Sequence, residues 1–217
     1  FCLSRGLGDV YKRQIFTGSM DYFPNIDAVT FFYQNVFPRI HAQVPNAKFV
    51  IAGRNPSREI LRIARDPALI VTGTVSDMRP YLLGASAAVA PLRVARGVQN
   101  KILEAMAMGL PVVASGVAAK ALPNDLLPAI QVEDEPEQIA NFLIGQLRRE
   151  LPATQPAIRH TLLEYYSRLG WGDRLEGILR RVVLPRQQSE NRVAPIADEY
   201  AVTTAREEFA PIKAQKR

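Results

Sequence analysis

Thiol chemistry is what this chain most plainly lacks. Its single cysteine, Cys2, falls in an atypical leader, so the rest of the chain has neither disulfides nor thiolate metal sites. Histidine is almost as scarce, and His41 and His160 are too few for a metal centre. No apolar run approaches the ~20 residues that a bilayer-spanning helix needs, and no repeat of solenoid period is present. The basic residues are not interleaved with the aromatics that single-stranded nucleic acid requires. No basic helix or nucleic-acid motif accompanies them, so a duplex partner is not expected either. No pair of carboxylates stands out at glycosidase spacing.

The 217 residues, 47% of them hydrophobic and 22% charged, suffice for one substantial core and at most one and a half domains. Phe1 to Gln14 begins without Met, has no signal-peptide core and fits no strand or helix pattern; it resembles translated adapter sequence and is set aside as a non-native leader. The net charge of +6 is concentrated. Between Arg54 and Lys101 stand eight Arg or Lys against Glu59, Asp66 and Asp77, a local excess of +5.

Short apolar runs alternate with helical patterns along the chain. Ile15–Ser19, Lys48–Gly53, Ala68–Gly73, Ser86–Pro91, Pro111–Ser115 and Ala129–Val132 read as strands. Helices are expected from Pro24 to a stop at Pro45-Asn46, Arg58 to Arg65, Asp77 to Leu83, Val98 to Met108 and Gln138 to Arg149, with one or two more over 156–184. Strands that are continuously apolar and separated by helices predict an α/β fold with a Rossmann-like, doubly wound parallel sheet. Ligands of such sheets bind beyond the carboxyl ends of the strands, where Gly18, Gly53, Gly73, Pro91 and Ser115 stand. Glu133, Asp134, Glu135 and Glu137 suit the dipole of the helix they precede and carry no functional reading. After Pro185 the chain loses apolar periodicity, and 185–217 is expected to be a disordered tail.

The stretch Arg96–Ser115 concentrates the chemistry. Gly97 ends an irregular segment, Val98 to Met108 keeps helical spacing, Gly109 supplies a C-cap and Pro111 prevents continuation. On that helix Val98, Ile102 and Met106 share one side, and Asn100 and Glu104 lie nearly opposite with Lys101 beside them. The free amides at Gly97, Val98 and the helix start favour an anion. Glu104 would repel that anion and suits neutral hydroxyls such as those of a ribose. The alternative is a solvated pair of Lys101 and Glu104 on a surface helix.

Four ordered motifs carry a likeness to a known family. The run Phe16-Thr17-Gly18-Ser19-Met20-Asp21-Tyr22-Phe23-Pro24-Asn25, the strand end Val50-Ile51-Ala52-Gly53-Arg54-Asn55-Pro56, the segment Val71 to Leu82, and the Arg96–Ser115 stretch together resemble the C-terminal, donor-binding half of family 4 retaining glycosyltransferases. Among these the chain is most similar to the exopolysaccharide glycosyltransferases that accompany bacterial exosortase systems. The resemblance covers about residues 15–180 and implies one half of a GT-B fold, two Rossmann-like domains facing across a cleft, with residues 15–184 as the nucleotide-sugar-binding half.

The family signature is a Glu, seven residues and a second Glu. By resemblance Glu104 is the second and holds the ribose hydroxyls, whereas Arg96 stands in place of the first, which in relatives is credited with contacts to the donor sugar. Many relatives also carry an Arg and a Lys in the first loop of this domain, where this chain has Gly18-Ser19-Met20. The cationic grip on the diphosphate is then expected from Arg54, Arg96 or Lys101, assisted by the amides at Gly97 and Val98, with Arg96 and Lys101 as the catalytic candidates and Gly18, Ser19, Gly53, Arg54, Gly97, Val98, Gln99 and Asn100 completing the donor site.

The donor expected is a UDP-, GDP- or other nucleotide sugar, with no metal or further cofactor. A glycan or lipid-linked acceptor would bind through an N-terminal domain absent here, which leaves this chain a weak nucleotide binder without activity of its own. The resemblance further implies a cytoplasmic enzyme with peripheral association at the inner face of the bacterial membrane. A GT-B sugar-nucleotide epimerase, a non-catalytic domain that senses a phosphorylated metabolite, and an interaction scaffold are the rival readings.

Overall fold

Among the described residues, six parallel strands form one sheet in the order β3-β2-β1-β4-β5-β6. They are β1 (Arg13–Thr17), β2 (Lys48–Ala52), β3 (Leu69–Gly73), β4 (Ala87–Ala90), β5 (Val112–Ala114) and β6 (Gln131–Val132). The computed structural model describes residues 12–149 and 156–166, all of which fall in a unit bounded by Phe1 and Asp173. Successive strand side chains point to opposite faces, so the unbroken burial of all four β4 residues means that both faces are covered. This is the α/β, Rossmann-like doubly wound sheet predicted from the apolar runs.

Register ties the strand ends together. Ile15 pairs with Val50 on one side and Ala88 on the other, and Thr17 pairs with Ala52. From β1 the strand order runs one way through β2 and β3 and the other way through β4, β5 and β6. The sheet therefore reverses direction between β1 and β4, the place where open α/β sheets leave a crevice.

The first helical segment is continuous but uneven. α1 (Phe23–Phe31) passes through a π-helical turn (Phe32–Val36) into α2 (Phe37–Gln43). Pro38 supplies a reason: it has no amide to give the preceding turn and its ring would collide with that turn's carbonyl. The widened turn lets the Phe37 amide reach the Phe32 carbonyl and keeps Phe32, Phe37 and Ile40 buried. Phe32 and Phe37 meet Phe49 of β2 at ring-centroid distances of 4.5 and 6.1 Å. Further helices are α3 (Arg58–Ile63), α4 (Arg79–Leu83), α5 (Asn100–Ala107), α6 (Gly116–Ala119), α7 (Pro136–Leu147) and α8 (Pro156–Tyr166). α2 packs with α7, and α5 with α8.

Three sequence expectations need correction. β1 begins at Arg13, inside the stretch set aside as leader, and Gln14 is fully buried in it. The expectation that Phe1 to Gln14 fits no strand pattern therefore fails at Arg13 and Gln14; residues 1–11 lie outside the described ones. The helix expected from Val98 starts at Asn100, and Val98 is 45% exposed, so it does not share the buried side of Ile102 and Met106. α6 and the 3-10 turn Asn124–Ala129 were not anticipated. Ser115 gave the available signal for α6, since its hydroxyl caps the Ala118 amide. The expected tail 185–217 and the region around Trp171 lie outside the described residues.

Candidate functional site

The loops after β1 and β2 meet so closely that only glycine fits between them. Gly18 donates its amide to the Ala52 carbonyl at 3.1 Å. A Cβ on Gly53 would lie 1.7 Å from the Gly18 carbonyl oxygen, and Gly53 has φ +155°. No side chain survives at that separation. The two strand ends thus act as one rigid lip, on which the next residues are arranged by hydrogen bonds.

Ser19 is the hub of that lip. Its hydroxyl donates to Asp21 Oδ1 at 2.6 Å and accepts from Arg54 Nε at 3.1 Å. Asp21 Oδ2 accepts from Asn55 Nδ2 at 2.8 Å, which supports the left-handed φ of 54° at Asn55. The bonds from Ser19 and then Asn55 hold the Asp21 carboxyl below its ordinary range, with Arg54 adding to them. Arg54 is tethered through Nε to the Ser19 hydroxyl, which fixes the plane of its guanidinium against the lip.

The loop after β4 and the start of α5 form the facing wall. Gly97, at φ +64°, turns the chain, and the Gln99 side chain donates to the carbonyls of Arg96 and Gly97 at 3.2 and 3.0 Å. Gln99 stands at the N-cap in an extended conformation, yet its side chain makes no cap bond to the α5 amides. The base of the loop is tied down by Ser115 Oγ, which donates to the Leu92 carbonyl at 2.6 Å.

Between the walls lies a cavity of about 710 Å³, within the range of roughly 300–1,000 Å³ usual for small-molecule sites. Gly18, Ser19, Gly53 and Arg54 line it from one side, and Arg96, Val98, Gln99, Asn100, Lys101 and Glu104 from the other. Gly97 is the one expected site residue that does not line it; it contributes through backbone direction. The fold also brings in residues that sequence reasoning did not assign to the site, among them Tyr22, Asn25, Thr74, Val75 and Met78. A strand end at Gly73 was the available signal for the Thr74 loop, and the polar residue inside an apolar helix face was the signal for Asn25.

Lys101 is the most constrained cation of the site. Its ammonium donates to Asn25 Oδ1 at 2.5 Å and lies 4.1 Å from the Phe16 ring centroid. Burial pushes its pKa down to about 8, against a smaller opposing effect of Glu104. Glu104 keeps much of its surface open to the cavity, yet nearby protein raises its carboxyl above the usual carboxylate range, with Lys101 acting against the rise. The two therefore sense each other across one turn of α5.

Five of the eight basic residues from Arg54 to Lys101 fall into two groups. Arg54, Arg96 and Lys101 line the cavity. Arg79 is paired with Asp77, and Arg93 makes a two-pronged pair with Asp27 while lying over the Phe31 ring. Among the described residues no cluster of three or more His, Cys, Asp or Glu is placed to hold a metal ion.

A cavity at the sheet's reversal point, flanked by three cations and an open helix start, is placed to receive a phosphorylated ligand. The fold places the molecule among known structures. An S. aureus TarM mutant in complex with UDP superposes with a TM-score of 0.60 at 15% identity, over 73% of this chain and 33% of that one. A glycosyltransferase from Rickettsia africae gives 0.56 at 13% identity, over 79% and 48%. Anabaena HepE in complex with UDP gives 0.55 at 13% identity, over 81% and 50%. The chain thus spans between a third and a half of these proteins. No curated protein matches it. The family model for glycosyl transferases group 1 matches residues 11–148, which include every strand and the whole cavity. On that match and that sheet, the chain belongs to the group 1 glycosyl transferases and carries one Rossmann-like half of their GT-B fold.

Proposed function

We propose that the cavity binds the nucleotide diphosphate of a sugar donor, and that the protein to which this half belongs transfers the sugar with retention to a glycan or lipid-linked acceptor in bacterial exopolysaccharide synthesis. The observation that carries the reading is the convergence of Arg54, Arg96 and Lys101 on one cavity with the uncapped start of α5 and, one turn along, Glu104. Cations and amides match a diphosphate, and a carboxylate farther along matches a pair of ribose hydroxyls.

In this reading the leaving diphosphate gains negative charge as the glycosidic bond stretches toward an oxocarbenium ion. Lys101 and Arg96 stabilise that charge, Arg54 holds the diphosphate from the opposite lip, and Glu104 orients the nucleoside. Preorganised charges in a site that sheds water stabilise the transition state more than the same charges in solvent. Three cations supply the neutralisation that a divalent ion gives in other transferases, so no metal is needed. The exosortase-associated assignment rests on the four sequence motifs. Acceptor binding and any membrane contact belong to a domain beyond this chain, and the chain alone is therefore expected to be inactive.

Calorimetry with UDP, GDP and ADP tests the reading. Weak binding of at least one of them is expected, with a loss of about tenfold or more in Glu104→Ala and in the double variant Arg96→Ala with Lys101→Ala. Heat from none of the three nucleotides, in a sample with a cooperative melt, would sink it.

A further inference from the structure

Building on the donor reading above, we propose that Asn25 is a positioning residue: its carboxamide fixes the Lys101 ammonium where it meets the diphosphate, while anchoring the loop after β1. Asn25 is only 6% exposed, in the first turn of α1. Its Nδ2 donates to the Ser19 carbonyl at 2.9 Å and its Oδ1 accepts from Lys101 Nζ at 2.5 Å. The orientation of the amide is forced by its partners, because a carbonyl only accepts and an ammonium only donates. One side chain thus joins the β1 loop, α1 and α5 at the sheet's reversal point.

The chemistry explains an amide there in preference to an acid. A carboxylate could pair with Lys101 but could not donate to Ser19, and it would cancel the charge that the diphosphate needs. The neutral amide oxygen holds the ammonium without neutralising it. Of the three ammonium hydrogens one goes to Asn25, and the Phe16 ring closes a second direction. What remains points Lys101 toward the cavity it lines. Gly18 completes the arrangement, since a Cβ there would come within 2.7 Å of Asn25 Nδ2.

The charged and titratable groups facing Lys101 are few: Tyr22 ahead of α1, Arg54 after β2, Arg96 before α5 and Glu104 on α5 itself. Asp21 is committed to Ser19 and Asn55.

The test uses the full chain, UDP calorimetry from pH 6.5 to 9.5, and NMR titration of ¹³Cε-labelled lysine, with Lys101→Met assigning the Lys101 signal. Asn25→Asp is expected to raise the Lys101 titration by about one unit or more and to weaken UDP about tenfold at pH 7. Asn25→Ala should weaken UDP similarly, and most of that loss should vanish in a Lys101→Met background, as required of a residue acting chiefly through the lysine. An unmoved titration in Asn25→Asp, or losses that simply add in the double variant, would overturn the assignment while leaving the donor reading intact. If the wild-type chain binds no nucleotide, both fail. Should either Asn25 variant not fold, the titration of wild-type Lys101 decides: a midpoint near the ordinary lysine value would overturn the buried, amide-held ammonium.

Discussion

A buried ammonium is a cost to folding that only a ligand redeems. Lys101 titrates near 8 in the folded protein and near 10.5 unfolded, so between those values the unfolded chain binds more protons and stability rises with pH. Below 8 the penalty is present in full. Lys101→Met should therefore raise the melting temperature at pH 7, on the order of 2 kcal/mol or roughly 5 °C, with the gain shrinking as pH climbs past 8. Calorimetry of the same variant should show UDP binding weakened about tenfold or more. In the wild type, UDP affinity should fall above pH 8 as the free protein's amine becomes neutral. Gln14 is the opposite case, a polar group with no function to offset its burial. It is fully buried in β1 and neither amide atom has a hydrogen-bond partner among the described residues. Its neighbours across the sheet are Phe49 and Ala87. Gln14→Leu should stabilise the protein by about 1–3 kcal/mol in denaturant titration, since it removes unsatisfied polar atoms.

At the scale of elements, the site depends on how strand ends are held together. β1 and β2 end in the Gly18–Gly53 contact, which fixes the loop bearing Ser19 relative to the one bearing Arg54. Gly53→Ala would force the lip apart at the backbone, and a loss of at least about 2 kcal/mol is expected, with UDP binding reduced in whatever fraction folds. The strands and helices themselves were legible, because continuous apolar runs and glycine or proline stops set them locally. α5 shows where that legibility ended. Its polar strip of Asn100, Lys101 and Glu104 followed from helical spacing, and all three line the cavity. Its first residue did not follow, because Val98 fits the periodicity but lies in the Gly97 turn, where the backbone has not yet become helical. α6 was missed because four residues of Gly, Val and Ala carry no period, and only the Ser115 cap marks them.

At the scale of the whole molecule, the charge count pointed to the stretch that lines the cavity without saying which of its cations do so. Of the eight basic residues from Arg54 to Lys101, Arg79 and Arg93 are bound to carboxylates and only Arg54, Arg96 and Lys101 line the cavity. A site built on these cations should bind UDP with less than about twofold change on adding a chelator, and progressively more weakly as salt rises, since screening acts on exposed charges. A large loss with the chelator, restored by a divalent ion, would assign the charge neutralisation to a metal. The sequence by itself determined the parallel α/β architecture, the strand ends on which the cavity stands and the polar strip of α5, because these depend on periodicity within a few residues. Only the tertiary structure decided that Asn25, 76 residues from Lys101, holds its ammonium, that Arg54 is tethered by Ser19 and that Arg93 is paired with Asp27. Such pairings are set by strand order and register, which bring together side chains that no local pattern links.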